Sequence, residues 1–139
     1  MKLNKNDQQL IETAKQVAFE NKDLYSSQGS LVASIIKTSS GNLYKGVNIK
    51  TSHSICAEQV AIGQALACGE REFDTLVAVK MGMDGNLRVV SPCGLCRYTL
   101  NKLNLDVNVI VEDSENGTVV KVKNQELLPY PYKREHKKK

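Results

Sequence analysis

Much is scarce in this 139-residue chain, and each scarcity removes a class of function. No stretch approaches the ~20 apolar residues of a membrane-spanning helix. Apolar segments such as Leu31 to Ile36 and Val107 to Val111 are only strand-length. Met1 to Leu10 is polar and lacks the apolar core of a secretory leader. Tryptophan is absent, and the five Tyr and two Phe do not alternate with basic residues. The aromatic stacking platform of a nucleic-acid binder is therefore missing. The three prolines and nine glycines form no linker, and no internal repeat or second domain is visible.

The formal charge of +4 is unevenly placed. Residues 133–139 hold five of the 19 basic residues and one of the 15 acidic ones, which leaves 14 of each in the body. Residues 1–132 thus read as one neutral folded domain, as the length suggests, and 133–139 as a basic disordered tail. Contact of that tail with RNA or an acidic partner is the alternative to a plain solvated end. Four cysteines, two of them in Cys-x-x-Cys, without an export signal favour metal ligation over disulfides. The expected location is cytoplasmic.

Asn6 to Asn21 places Leu10, Ile11, Ala14, Val17 and Ala18 at helical spacing. Leu31 to Thr38 and Asn42 to Ile49 flank Ser39-Ser40-Gly41, a hairpin pattern. Ala57 to Cys68 predicts a helix stopped by Gly69. Strands follow at Phe73 to Met81 and around Val89-Val90, then a helix over Arg97 to Leu103. Asp106 to Val111 and Thr118 to Lys123 close the series as strands. The order α-β-β-α-β-β-α-β-β indicates an α/β fold with helices packed on a mixed sheet.

Chemistry concentrates in Cys56-Ala57-Glu58 and Pro92-Cys93-Gly94-Leu95-Cys96-Arg97. Three thiolates would hold Zn²⁺ and keep its fourth tetrahedral position open, whereas structural sites usually close with four protein ligands. Glu58, two residues from one ligand, is placed to move protons there. Both segments fall at predicted helix starts, whose partial positive charge stabilises thiolates. Cys93-x-x-Cys96 taken alone also fits a redox dithiol. Cys68 lies 12 residues beyond Cys56 in one predicted helix, about 18 Å away at ~1.5 Å per residue. It cannot share the metal and reads as a small buried residue. His53 is the rival fourth ligand, though it also fits a loop residue near the pocket. The other reading of Glu58 is a plain helix-start carboxylate, worth ~0.3–1 kcal/mol at an exposed position.

The Cys-x-Glu and Pro-Cys-x-x-Cys segments resemble the signature of the cytidine deaminase superfamily, in its three-cysteine nucleoside-deaminase form. Gly46-Val47-Asn48 and Glu126-Leu127-Leu128-Pro129 extend the likeness over nearly the whole chain. The resemblance implies a three-layer α/β/α fold on a mixed five-stranded sheet. It implies one zinc per subunit on Cys56, Cys93 and Cys96, with Glu58 shuttling protons from water to N3 and then to the leaving amine. Asn48 would hold the sugar, the Ala57 N–H the base edge, and Tyr132 would wall the pocket, in a homotetramer with shared sites. Three positions depart from ordinary cytidine deaminases. Asn48-Ile49-Lys50 replaces the sugar-binding Asn-x-Glu, Phe-Pro is absent before the first core strand, and Gln59 follows Glu58 where Arg is common. These choices, with Val32-Ala33-Ser34 and Ser91-Pro92-Cys93-Gly94, are similar to blasticidin S deaminases, whose substrate carries a carboxylate that Lys50 could pair with. Lys50 pointing to solvent is the other reading. Three thiolates leave the site net negative, so Arg97 is the candidate for donating to a ligand sulfur and compensating charge. A nucleic-acid editing deaminase and a non-enzymatic zinc-stabilised protein are the rival classes.

Overall fold

The structure, a computed structural model, describes residues 1–103, 105–113 and 115–133. All but the first residue of the expected basic tail therefore lies outside the described residues. The first helix, α1 (Lys5–Glu20), starts where Asn4 and Asp7 cap each other. Asn4 Oδ1 accepts from the Asp7 N–H at 2.8 Å, and Asp7 accepts from the Asn4 N–H at 3.0 Å. That reciprocal pair satisfies two donors of the opening turn. The five apolar residues expected on one face are all buried. A short helix, α2 (Asp23–Gln28), follows and ends at Gly29 with φ 77. It buries no residue, so it left no apolar periodicity for the sequence to show.

The sheet is built around β1 (Val32–Thr38). β2 (Leu43–Val47) pairs antiparallel on one side and β3 (Phe73–Met81) antiparallel on the other. Beyond β3 lie β5 (Asn108–Glu112) and then β6 (Val119–Lys123), giving the order β2-β1-β3-β5-β6. A sixth strand, β4 (Leu87–Val90), corrects the expected five-stranded sheet. Nine-residue β3 is long enough to carry two short partners. Thr75 and Leu76 pair in parallel with β5, while Ala78 to Met81 pair antiparallel with β4.

Helix α1 packs on one face of the sheet, where Val77, Val79 and Met81 join its apolar stripe. The other face carries α3 (Ala57–Ala67) and α4 (Gly94–Lys102), with Ile36, Leu76 and Leu100 between the layers. Each such fully buried aliphatic side chain contributes roughly 1.5–3 kcal/mol. The three layers follow from the period-2 alternation of β3, which sends successive side chains to opposite helical layers. α3 approaches the sheet closely because Ala57, Ala61 and Ala65 repeat every fourth residue on its buried side. Gly46 of β2 completes the fit. A Cβ there would lie 2.5 Å from the Ala57 carbonyl oxygen and 2.6 Å from the Ala61 nitrogen. No described helix is long and apolar enough to cross a membrane.

Candidate active site

Cys56 and Cys93 occupy equivalent places at the N-caps of α3 and α4, both with extended backbone. Neither side chain caps its own helix, so both sulfurs are turned to other use. One turn into α4, Cys96 is buried at the helix–sheet junction. Cys56 Sγ lies 3.6 Å from Cys93 Sγ, and Cys93 Sγ lies 3.7 Å from Cys96 Sγ. All three sulfurs fall within 4.8 Å of one another. Zinc–sulfur bonds of about 2.3 Å at tetrahedral angles put sulfurs about 3.8 Å apart. The observed spacing is that of one tetrahedral face, and far too long for a disulfide of ~2.05 Å. The donor set fits zinc. Among the described residues the cluster contains only these three side chains, so three protein ligands leave one position for a small molecule.

The local electrostatics ask for a cation. Burial pushes the Cys96 thiol well up, and the charges of Glu58 and the other two sulfurs push it further. Cys56 is raised as well, first by burial and then by its hydrogen bond with Cys93. At Cys93 burial acts upward, but the N–H groups of Cys96 and Leu95 and the neighbouring thiols outweigh it and hold it below the ordinary thiol value. A bound divalent cation inverts this balance, because a coordinating thiol is deprotonated outright. Glu58 is 5% exposed, and burial raises its carboxyl above the usual range. Exposed helix-start carboxylates that merely complement the dipole are not desolvated in this way.

A cavity of about 320 Å³ opens beside the sulfurs. Cys56, Glu58, Cys93, Asn48, Val90 and Ser91 are among the residues that line it. Ala57 is also at its surface, as the first residue of α3. The Asn48 side chain is itself braced. Its Oδ1 accepts from the Val32 N–H at 2.8 Å, and its Nδ2 donates to Ser30 Oγ at 3.2 Å.

Other expected residues lie elsewhere. Lys50 lines a neighbouring cavity rather than the one at the sulfurs. Tyr132 is 72% exposed and does not line the pocket of its own chain. His53 is exposed, with its ring against Ser52 Oγ at 3.3 Å, and is outside the sulfur cluster. Cys68 sits at the far end of α3, as the helix geometry required, but it is exposed rather than buried. It caps the helix, where the chain turns out to solvent at Gly69 with φ 89. Arg97 also departs from expectation: Nε donates to the Pro92 carbonyl at 2.8 Å and a terminal nitrogen to the Leu127 carbonyl at 3.3 Å. Its donors meet carbonyls rather than sulfur, because the guanidinium bridges the loop before Cys93 to the C-terminal turn. Gln59, where Arg is common, donates to Thr99 Oγ1 at 2.8 Å and ties α3 to α4.

Two cationic residues at the pocket carry no motif in the sequence. Lys80 and Arg88 line it alongside Asn48 and Val90. The available signal was Lys80, a charge interrupting the otherwise apolar run from Leu76 to Met81.

Three sulfurs on one tetrahedral face, an open fourth position and a buried carboxylate beside it define a zinc-dependent hydrolase. The family model described as "Cytidine and deoxycytidylate deaminase zinc-binding region" matches residues 4–112, and the chain belongs to this family. Blasticidin-S deaminase of Bacillus cereus is 34% identical over 95% of this chain and 96% of that protein. A cytidine deaminase of Shewanella frigidimarina is 32% identical over 73% of this chain, which spans only 31% of that longer enzyme. Among solved structures, cytidine deaminase from Burkholderia pseudomallei superposes with a TM-score of 0.70 at 26% identity, covering 94% of this chain and all of the other. The three-layer fold with its mixed sheet is that of these enzymes, and one zinc per chain belongs at Cys56, Cys93 and Cys96.

Proposed function

We propose that this protein hydrolyses the exocyclic amine of free cytosine nucleosides, giving the uracil form and ammonia. The observation that carries the reading is Glu58, 5% exposed and lining a pocket that Cys56 and Cys93 also line. A volume of about 320 Å³ is at the small end of the range for ligand pockets, suited to a base with its sugar rather than a polymer. Zinc, held by the three cysteines, would supply the Lewis acidity that lowers the pKa of a bound water.

The remaining chemistry belongs to the chain. Glu58 accepts a proton from the attacking water and delivers it to N3 of the cytosine. The oxygen adds at C4 as N3 is protonated. The proton left on that oxygen then passes through the same carboxylate to the amine, the C4–N bond breaks and ammonia leaves. A carboxyl raised by burial suits both roles, because donor and acceptor forms are then closer in energy. The first-turn N–H of Ala57 has no partner within the helix and faces the base edge. Asn48, held by Val32 and Ser30, positions the sugar. Arg97 fixes the Pro92 loop and contributes positive charge near a site with three thiolates.

The candidate substrates are cytidine with deoxycytidine, or a blasticidin S-type nucleoside; the relatives' names cover both classes. A homotetramer with shared sites suits the rim of the pocket. Ile55, which lines the pocket, is 45% exposed and its bridge partner Ile49 46%, and exposed Tyr132 is available to wall a neighbour's pocket. Ultraviolet assay of purified protein on cytidine, deoxycytidine and blasticidin S tests the reading, with Glu58→Ala as control. Wild-type turnover of at least one, lost in the variant, is the expected result. Wild-type inactivity on all three would overturn it.

A further inference from the structure

Asn48 is braced by Val32 and Ser30, and one further side chain holds that brace together. Gln28, the last residue of α2, is half-buried and lines neither the cavity at the sulfurs nor the one beside it. Its Nε2 donates to the Ser30 carbonyl at 3.0 Å and to the Asn48 carbonyl at 3.0 Å. Its Oε1 accepts from the Lys50 N–H at 3.3 Å. The partners fix which way the amide points, because a carbonyl only accepts and a backbone N–H only donates. Both Nε2 hydrogens are engaged at the two carbonyls, and Asn48 Oδ1 lies 3.4 Å from the same nitrogen.

α2 buries no residue, so apolar packing does not account for where it sits. Gly29, with φ 77, closes it through a bond from its N–H to the Tyr25 carbonyl at 2.9 Å and turns the chain into Ser30. From that turn Gln28 reaches Asn48 and Lys50, 20 and 22 positions further on. The two residues whose carbonyls it joins are the two whose side chains meet, Asn48 Nδ2 donating to Ser30 Oγ at 3.2 Å. Gln28 therefore fixes the backbones of a pair that is also bonded through its side chains. A carboxamide suits the task, since one planar group supplies two donors and an acceptor. With Oδ1 accepting from the Val32 N–H at 2.8 Å, a flip of the Asn48 amide would set donor against donor.

We propose that Gln28 is a positioning residue for substrate: its carboxamide ties Ser30 to Asn48, so that Asn48 presents its amide to the pocket in one orientation. This rests on the pocket accepting a cytosine nucleoside through Asn48, as proposed above. Gln28 touches no substrate and acts through Asn48. A side chain already held in its binding orientation loses little further freedom when the ligand arrives, and that saving appears as affinity.

A double-mutant cycle tests the assignment, with steady-state kinetics on cytidine, deoxycytidine and blasticidin S. Gln28→Met keeps the length of the side chain and removes its donors and acceptor. It should lower kcat/KM for the preferred nucleoside by about 5- to 30-fold, mainly through KM. In an Asn48→Ala background the same substitution should cost less than about twofold, because the residue it acts through is gone. Equal losses in both backgrounds, or no loss in the single variant, would overturn the assignment. Gln28→Glu keeps the shape but sets a carboxylate against two carbonyls, and it should be at least as impaired; wild-type kinetics there would overturn the assignment too. Residue-resolved amide hydrogen exchange reads the same coupling without turnover, at the Val32 N–H that donates to Asn48 Oδ1. In Gln28→Met that amide should exchange about fivefold faster or more, while amides of α1 keep their wild-type rates. An unchanged Val32 rate, or an equal rise throughout α1, would refute the role. If wild-type protein turns over none of the three nucleosides, the deaminase reading fails separately, and the exchange comparison alone decides the role of Gln28.

Discussion

Gly46→Ala should separate the close approach of β2 and α3 from ordinary packing. The added Cβ would meet the Ala57 carbonyl at 2.5 Å, the Ala61 nitrogen at 2.6 Å and Val60 Cβ at 2.9 Å, where ordinary contact begins at 3.4 Å. Two of these are backbone atoms of α3, so no rotamer change relieves them. The helix and strand must part by about 0.5–0.9 Å, and overpacking of this kind typically costs ~1–3 kcal/mol. The loss of glycine freedom in the unfolded chain offsets ~0.4–1 kcal/mol of that. A net loss of about 1–2 kcal/mol corresponds to a fall in Tm of roughly 4–8 °C at this size. Cys56 and Glu58 ride on the displaced end of α3. The same shift along the Cys56–Cys93 direction would stretch their 3.6 Å spacing beyond the ~3.8 Å tetrahedral edge. Zinc content should drop together with stability. Gly63→Ala is the control, since a Cβ at Gly63 meets nothing within 4 Å and sits inside the same helix. It should stabilise by up to ~1 kcal/mol. Calorimetric melting and metal analysis of both variants provide the check. A Gly46→Ala protein that melts at or above the wild-type temperature with full zinc would refute the reasoning.

Further expectations follow from other contacts. Glu58→Gln should keep one zinc per chain yet lose ~10²–10⁴-fold in kcat by ammonia-release assay. Cys96→Ser should lose the metal, while Cys68→Ser at the exposed end of α3 should leave metal content and turnover unchanged. Arg97→Ala should weaken zinc retention against a chelator. Arg97→Lys should rescue it if charge is what matters, and fail to if the paired bonds to Pro92 and Leu127 are what matter. Glu70 accepts from Asn42 Nδ2 at 2.9 Å and the Tyr44 hydroxyl at 2.8 Å, and these bonds hold its carboxyl below the usual range. A depressed folded value contributes stability above the unfolded pKa of ~4.3 that is lost as pH falls through the folded value. Urea midpoints of wild type and Glu70→Gln should converge over that acid window, and the difference between them cancels any acid loss of metal from the cysteines common to both.

The metal centre was legible because it is local chemistry at helix starts. Cys56-Ala57-Glu58 and Pro92-Cys93-Gly94-Leu95-Cys96 are short, and the helices that begin there are predictable from composition. Cys68 could be removed from the ligand set by helix rise alone. Its exposure was less accessible, because apolar character suggests burial while a helix C-terminus at the surface overrules it. Arg97 differs from its sequence expectation for a similar reason. Adjacency to Cys96 in sequence suggested a sulfur partner, whereas residues 5 and 30 positions away accept its bonds.

The sequence by itself determined the zinc ligands, the carboxylate two residues from one of them and the family, since these rest on residue types within two short segments. The burial of Glu58 came from the tertiary structure. Only the tertiary structure decided what surrounds that centre. β4 had to pair beside β5 on one edge of β3 before Lys80 and Arg88 could stand opposite each other. β2 had to pack on α3 before Gly46 acquired a reason to lack a side chain. Both depend on strand register between distant segments, and a shift of one residue turns every side chain of a strand to the other face.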